Sequence, residues 1–150
     1  MDLILWRHAT AEDGLPDHER ALTPYGEQQA RRVAEWLQHS LHGPYRMIVS
    51  PAVRTQSTAR ALTSHFETQR LVGVGATPAQ ILQAARWPDA DLPVIVVGHQ
   101  PSLGQTAAWL LSGKEDNWSV RKGALWWLSQ RDRNGSKQVV LRAVLNPELI

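Results

Sequence analysis

Arg7-His8 directly follows the apolar run Leu3-Ile4-Leu5-Trp6, Arg54 lies four residues beyond Ser50, and His99 follows the apolar run that ends at Val97 and Gly98. These four side chains suit one chemistry. A neutral imidazole can attack phosphorus and carry the phosphoryl group covalently, which splits one hard displacement into two easier ones. Guanidinium groups bind phosphoryl oxygens in pairs and stabilise their charge through the transition state, while a second imidazole can donate to the same oxygens. Two unit charges about 4 Å apart interact by about 4 kcal/mol at an effective dielectric near 20, well above a solvent-exposed ion pair. Such a site works without a metal or a cofactor, and none is expected.

The elements that must position these residues can be read from pattern. Leu3 to Trp6, Met47 to Val49 and Leu92 to Val97 are buried-strand candidates, the last a continuous β-branched run suited to the centre of a covered sheet. Leu71 to Val74 reads as a weaker strand. Thr23-Pro24 and Thr77-Pro78 each place an N-cap before a proline at the first helical position, predicting helices that run to Gly43-Pro44 and to Arg86. The first carries Ala30, Val33, Ala34, Leu37 and Leu41 on one stripe, with Glu27/Arg31 and Arg31/Glu35 as solvent-side i,i+4 pairs. Further helices are expected from about Val53 to Phe66, with Ser50 as a simple N-cap candidate, and from Pro101 or Ser102 to about Leu111. Ala124 to Ser129 and Gln138 to Leu145 suggest an antiparallel pair turning near Asn134-Gly135. Strands alternating with helices argue an α/β three-layer sandwich with a mostly parallel central sheet flanked by helices. Ligands of such sheets bind beyond the carboxyl ends of the strands, which is where Arg7, His8, Ser50, Arg54 and His99 emerge.

Composition limits the alternatives. The 150 residues are 43% hydrophobic and 20% charged, with no internal repeat or low-complexity linker, so residues 1–150 are expected to form one domain. No apolar stretch approaches the roughly 18 residues of a membrane span, and no leader pattern follows Met1, so a cytoplasmic protein without a membrane role is expected. The absence of cysteine excludes disulfides, a thiolate nucleophile and Cys-ligated metal. Thirteen of the sixteen basic residues are arginine, yet the net charge is only +2 and the bases are interspersed with acids. That scatter argues against a nucleic-acid partner. His18, His39, His42 and His65 lack a strand-end placement and read as surface residues. The seven tryptophans read as packing.

Leu5-Trp6-Arg7-His8-Ala9 resembles the "RHG" signature of the histidine phosphatase superfamily, with alanine in place of the usual glycine. Ser50-Pro51-Ala52-Val53-Arg54 through Thr58-Ala59 is similar to that family's "SPxxRxxxTA" segment, and Gly98-His99-Gln100-Pro101 to its "GHxP" segment. The motifs occur in the family's order across the chain. Asp17-His18-Glu19-Arg20-Ala21-Leu22-Thr23 through Gly26 resembles the "D-x-x-R-x-L-T-x-x-G" segment of the SixA-like phosphohistidine phosphatases. The resemblance implies a phosphoglycerate mutase-like fold, His8 as the phosphorylated nucleophile, Arg7 and Arg54 as phosphate clamp, and His99 as second pocket histidine. Arg20 would complete the clamp, or else pair locally with Asp17 or Glu19.

One departure bears on substrate. Larger branches of that family usually supply a carboxylic general acid in or just before the third helix, whereas this chain reads Leu71-Val72-Gly73-Val74-Gly75-Ala76-Thr77-Pro78, with no Asp or Glu before Asp89. An alkoxide leaving group gains roughly 10²–10⁴-fold from such a donor. A phosphohistidine imidazole needs less help, because it can leave protonated at its other nitrogen. The expected function is a metal-independent phosphatase for phosphohistidine on a protein partner, a signalling role. Alternatives are a small-molecule phosphomonoesterase with an acid among Glu12, Asp13 and Asp17, and a phosphate-binding regulatory module with vestigial activity.

Overall fold

A computed structural model describes residues 1–150. Ten main elements follow in order: β1 (Asp2–Arg7), α1 (Pro24–Ser40), β2 (Arg46–Val49), α2 (Val53–Arg60), β3 (Glu67–Thr68), α3 (Pro78–Ala85), β4 (Val94–Gly98), α4 (Ser102–Ser112), β5 (Leu125–Arg133) and β6 (Ser136–Leu145). The six strands form one sheet in the order β3-β2-β4-β1-β5-β6. The first four in that order run parallel, and β5 and β6 are antiparallel additions.

Every residue of β4 is buried, as its β-branched composition predicts for a strand covered on both faces. Strand alternation divides the core into two layers. Leu3, Leu5, Val94 and Val96 pack with Ile81 and Ala85 of α3 and with Leu103 and Ala107 of α4. Ile4, Trp6, Ile95 and Val97 face the other way, against Val33, Ala34 and Leu37 of α1 and Ala59 of α2. The three-layer α/β sandwich is therefore observed. No helix is long and apolar enough to cross a membrane.

Both Thr-Pro helix starts form. Thr23 Oγ1 accepts from Gly26 N at 2.9 Å, and Thr77 with Gln80 makes a reciprocal capping box. The β5–β6 hairpin turns through Asn134 and Gly135, at φ 55° and 79°, the left-handed pair required by a two-residue type I′ turn. Gly26 answers a different need. A Cβ there would fall on the Thr10 carbonyl oxygen, so only glycine lets the start of α1 lie against the segment after His8.

Some local expectations are corrected. Leu71 to Val74 is not a strand: residues Arg70–Val72 make a single 3-10 turn, and the edge strand is the earlier, exposed pair Glu67–Thr68. The turn is held by Val72 N and Gly73 N donating to Gln69 O and Arg70 O, which closes the backbone on itself and leaves no ladder to pair. The second helix ends at Arg60 rather than Phe66, because Ala61, Leu62 and Thr63 bond back into its last turn and the chain then leaves toward β3. Ser50 is not an N-cap, since Ala52 holds that position without a side-chain bond. Neither Glu27/Arg31 nor Arg31/Glu35 is among the ion pairs formed; these long exposed side chains stay solvated, where pairing gains little against their entropy.

Candidate active site

The carboxyl ends of β1, β4 and β2 lie side by side. Arg7 is in register with Gly98, and Val49 with Val97, so the next residues of the three strands are neighbours. His8 N donates to Gly98 O and Ser50 N to Val97 O, both at 3.1 Å, extending the sheet ladder into the site. His8 and His99 consequently face each other with ring centroids 5.4 Å apart. They are 6% and 3% exposed, values that place both rings inside the protein rather than on its surface.

The two imidazoles are oriented differently. His8 Nδ1 lies 2.7 Å from Ala9 O. A carbonyl only accepts, so Nδ1 carries the proton and Nε2 holds the free lone pair. Ala9 is held in turn by its N–H donating to Thr58 Oγ1 at 3.0 Å, while the Thr58 hydroxyl donates to Arg54 O at 2.7 Å. Helix α2 thereby sets the position of the carbonyl that fixes the His8 tautomer. Burial, followed by the charges of Arg54, Arg7 and Arg20, holds His8 down at about 4, against the opposing pull of its bond to Ala9. The ring is neutral at pH 7 and nucleophilic at Nε2.

His99 Nε2 lies 2.7 Å from Ser50 Oγ, which also accepts from Ala52 N at 3.3 Å. The Ser50 hydroxyl hydrogen has no other acceptor, so it goes to His99 Nε2 and the imidazole proton sits on Nδ1. That Nδ1 is buried and bonded to nothing in the protein. Burial first, then the charges of His8 and Arg54, push His99 down to about 3, with Asp17 acting the other way. Two neutral histidines thus present a lone pair and an N–H donor respectively.

Arg7 donates through Nη1 to Val120 O at 2.9 Å, and burial followed by the charge of Arg54 lowers its pKa. Arg54 is 4% exposed and reaches Asp17 twice, with Nη1 on the main-chain oxygen at 2.8 Å and Nη2 on Oδ2 at 3.1 Å. The Nε atoms of both arginines are buried without partners, as is His99 Nδ1. Buried donors are almost always paired. These three unpartnered donors are candidates for holding an oxyanion.

Arg20 makes the local pair anticipated for it: Nε donates to Asp17 Oδ1 at 3.0 Å and Nη1 to Glu12 O at 3.0 Å. Its charge nonetheless acts on His8. Asp17 therefore joins Arg20 to Arg54, and hydrogen bonds from Arg20 and then Arg54 hold its carboxyl below the usual range. Asp17 thus serves both arginines as a hydrogen-bond acceptor. Glu12 and Asp13 are exposed, and the stretch from Leu71 to Pro78 brings no carboxylate to the site.

Several contributors escaped the sequence reading. Ser50, read as an N-cap, and Thr58 lay within recognised motifs without a task at the site. Gly123 had no signal at all, yet its N–H donates to His8 O at 2.9 Å and its carbonyl accepts from Trp6 Nε1 at 3.1 Å. Gln29 is buried and accepts from both N and Oγ1 of Thr10 at 2.9 Å, fastening the segment after His8 to α1. Trp118 and Trp126 pack against the α3/α4 core, with ring centroids 6.1 Å apart.

Comparison with known proteins identifies the family of the chain. The pattern of the histidine phosphatase superfamily (branch 1) matches residues 3–73, which hold Arg7, His8, Arg20 and Arg54. An uncharacterised protein of Picosynechococcus sp. is 34% identical over 125 residues, covering 76% of this chain and 75% of that protein. One from Mycobacterium tuberculosis is 32% identical over 111 residues, covering 71% and 70%. Among solved structures, a protein of Nakamurella multipartitia carrying the SixA phosphohistidine phosphatase name superposes with a TM-score of 0.81 at 26% identity, covering 97% of this chain and 95% of that one. The protein histidine phosphatase SixA complexed with tungstate superposes at 0.84 and 22% identity, with 99% of each chain covered, a likeness of fold. The chain belongs to the histidine phosphatase superfamily, and within it is a SixA-like phosphatase.

Proposed function

We propose that the protein removes phosphate from phosphohistidine on a protein partner through a covalent phospho-His8 intermediate. The observation that carries this reading is the fixed, neutral His8, with Nδ1 bonded to Ala9 O and Nε2 free among three arginine charges. In the first step the Nε2 lone pair forms a bond to phosphorus while the phosphorus–nitrogen bond of the substrate breaks. The departing electron pair stays on the substrate imidazole, which leaves neutral if its other nitrogen already carries a proton. Arg7, Arg54 and the Nδ1–H of His99 hold the phosphoryl oxygens as charge spreads over them. Arg20 adds positive charge at the edge of the clamp.

In the second step water attacks phosphorus and the His8–phosphorus bond breaks. Nε2 regains its lone pair, the hydroxyl stays with phosphate, and the water's other proton passes to phosphate or solvent. Neither step requires a carboxylic acid, which fits the ionised state of Asp17 and the lack of a carboxylate between Leu71 and Pro78. Acting on alkyl phosphates, this site would need a donor that the stretch from Leu71 to Pro78 does not supply.

Trapping with a labelled phosphohistidine peptide should place the label on His8 alone. His8→Ala should abolish both label and turnover. Full turnover by that variant would overturn the mechanism, and a strong preference for sugar phosphates over phosphohistidine would overturn the substrate assignment.

A further inference from the structure

Beside the phosphate site lies a depression of about 300 Å³ lined by His18, Ser50, Pro51, Arg70, Gly73 and Val74. It adjoins the site through Ser50, the hydrogen-bond partner of His99. Its far wall is the 3-10 turn Arg70–Val72 and the two residues after it. That wall stands at the end of β4: the Val72 carbonyl is 3.5 Å from where a Cβ on Gly98 would be, and Pro51 Cδ is 3.9 Å from the corresponding point on Gly73. Its near wall is His18, next to the Asp17 that binds Arg54.

The lining holds two basic residues and no acid. His18 has Glu19 at 3.7 Å. Arg70 is exposed, and its guanidinium takes part in no hydrogen bond or ion pair within the chain. The nearby Asp17 is already shared between Arg20 and Arg54, and Glu67 is engaged by Arg46 at 2.9 and 3.0 Å. Arg70 is thus a solvated cation with no counter-charge in the chain, open to one from a ligand.

Size and surroundings narrow the occupant. The volume is at the low end for small-molecule pockets, enough for a side chain. Val74 is 63% exposed on the depression, and Leu15, in the loop that leads to Asp17, is 93% exposed, so apolar surface accompanies the charge. An apolar and basic rim around a recessed nucleophile fits the surface of a macromolecule.

Resting on the phosphohistidine reading above, we infer that the depression between His18 and Val74 is a subsite beside the phosphate site that receives an acidic side chain flanking the phosphohistidine of a protein substrate, with Arg70 as the residue that reads it. It determines substrate preference and takes no part in the chemical step.

The test compares two phosphohistidine peptides, flanked by Asp and Glu or by Lys, with phosphoramidate, which has no flanks. The wild-type protein should favour the acidic peptide in kcat/KM by about 5–10-fold at low salt, shrinking as ionic strength rises. Arg70→Gln should abolish the preference and Arg70→Glu should reverse it. Phosphoramidate turnover by both variants should equal wild type, which also reports that they fold. Equal use of the two peptides by wild type, or an acidic preference retained in Arg70→Glu, would overturn the subsite alone. Turnover of phosphoserine with neither peptide hydrolysed would overturn both the subsite and the phosphohistidine reading.

Discussion

Ser50 and His99, 49 residues apart in the chain, share a buried hydrogen bond of 2.7 Å that leaves His99 Nδ1 as the proton-bearing nitrogen. Ser50 is therefore a positioning residue. Ser50→Ala should lower kcat/KM by about tenfold, the rate equivalent of roughly 1.4 kcal/mol for one lost orienting hydrogen bond. Phosphate inhibition should weaken in parallel, because the Nδ1–H is no longer imposed. Ser50→Thr should recover most of both losses, whereas a merely structural effect would follow thermal stability instead of phosphate affinity. Unchanged phosphate affinity in Ser50→Ala would show that the tautomer does not depend on this hydroxyl.

The depressed histidines set the pH behaviour. His8 is held at about 4, so kcat/KM, corrected for substrate ionisation, should stay level from pH 8 to about 5 and fall only as His8 takes up a proton near 4. An acid limb near 6.5 would contradict the burial of the ring. Stability follows the same groups. The unfolded chain binds protons at about 6.5, but the folded protein only at about 4 and about 3. Between these values the unfolded state holds more protons, so stability is full above about 6.5 and declines as pH falls through that window. The loss should be on the order of 2 kcal/mol per histidine by pH 4.5. Urea titrations at pH 7.5 and 4.5 measure it, and His8→Asn should remove its share.

Asp17 bridges Arg20 and Arg54 as an ionised acceptor. Asp17→Asn keeps an acceptor oxygen but loses the charge that aligns both guanidinium groups. It should raise KM by roughly tenfold with a smaller change in kcat, as expected for lost ground-state binding. Phosphoramidate and an alkyl phosphate should be affected alike. A selective loss of about 10²–10⁴-fold on the alkyl phosphate would instead identify Asp17 as a proton donor.

Gly26 lies where the start of α1 meets Thr10. Gly26→Ala should destabilise the protein by about 1–3 kcal/mol, the usual range for overpacking, and by more if the backbone cannot move. Relief of the clash would displace the segment after His8, so kcat should drop as well. A variant with wild-type melting temperature and kcat would show that this approach is not required.

Much of the fold was legible because its signals are local. Thr23-Pro24, Thr77-Pro78 and Asn134-Gly135 each specify backbone geometry within a few residues, and all three form as read. The failures arose where local signals were weak. Leu71 to Val74 has strand-like composition, but its backbone bonds close within a turn, and β3 is only two exposed residues. The i,i+4 charges on α1 had the right spacing and no burial to hold them together.

The sequence by itself determined the alternation of strands and helices, the caps and turns, and which residue types stand at the strand ends. Those features depend on neighbours a few positions away. Tertiary structure decided which nitrogen of each histidine is free, because Thr58 holds the Ala9 segment that fixes one ring and Ser50 fixes the other. It also decided that Asp17, already paired with its chain neighbour Arg20, accepts from Arg54 37 residues distant, and that Arg7 is anchored by Val120 113 residues away. Tautomer and charge state follow from desolvation and from partners that packing and the parallel register bring together, which chain neighbours alone do not supply.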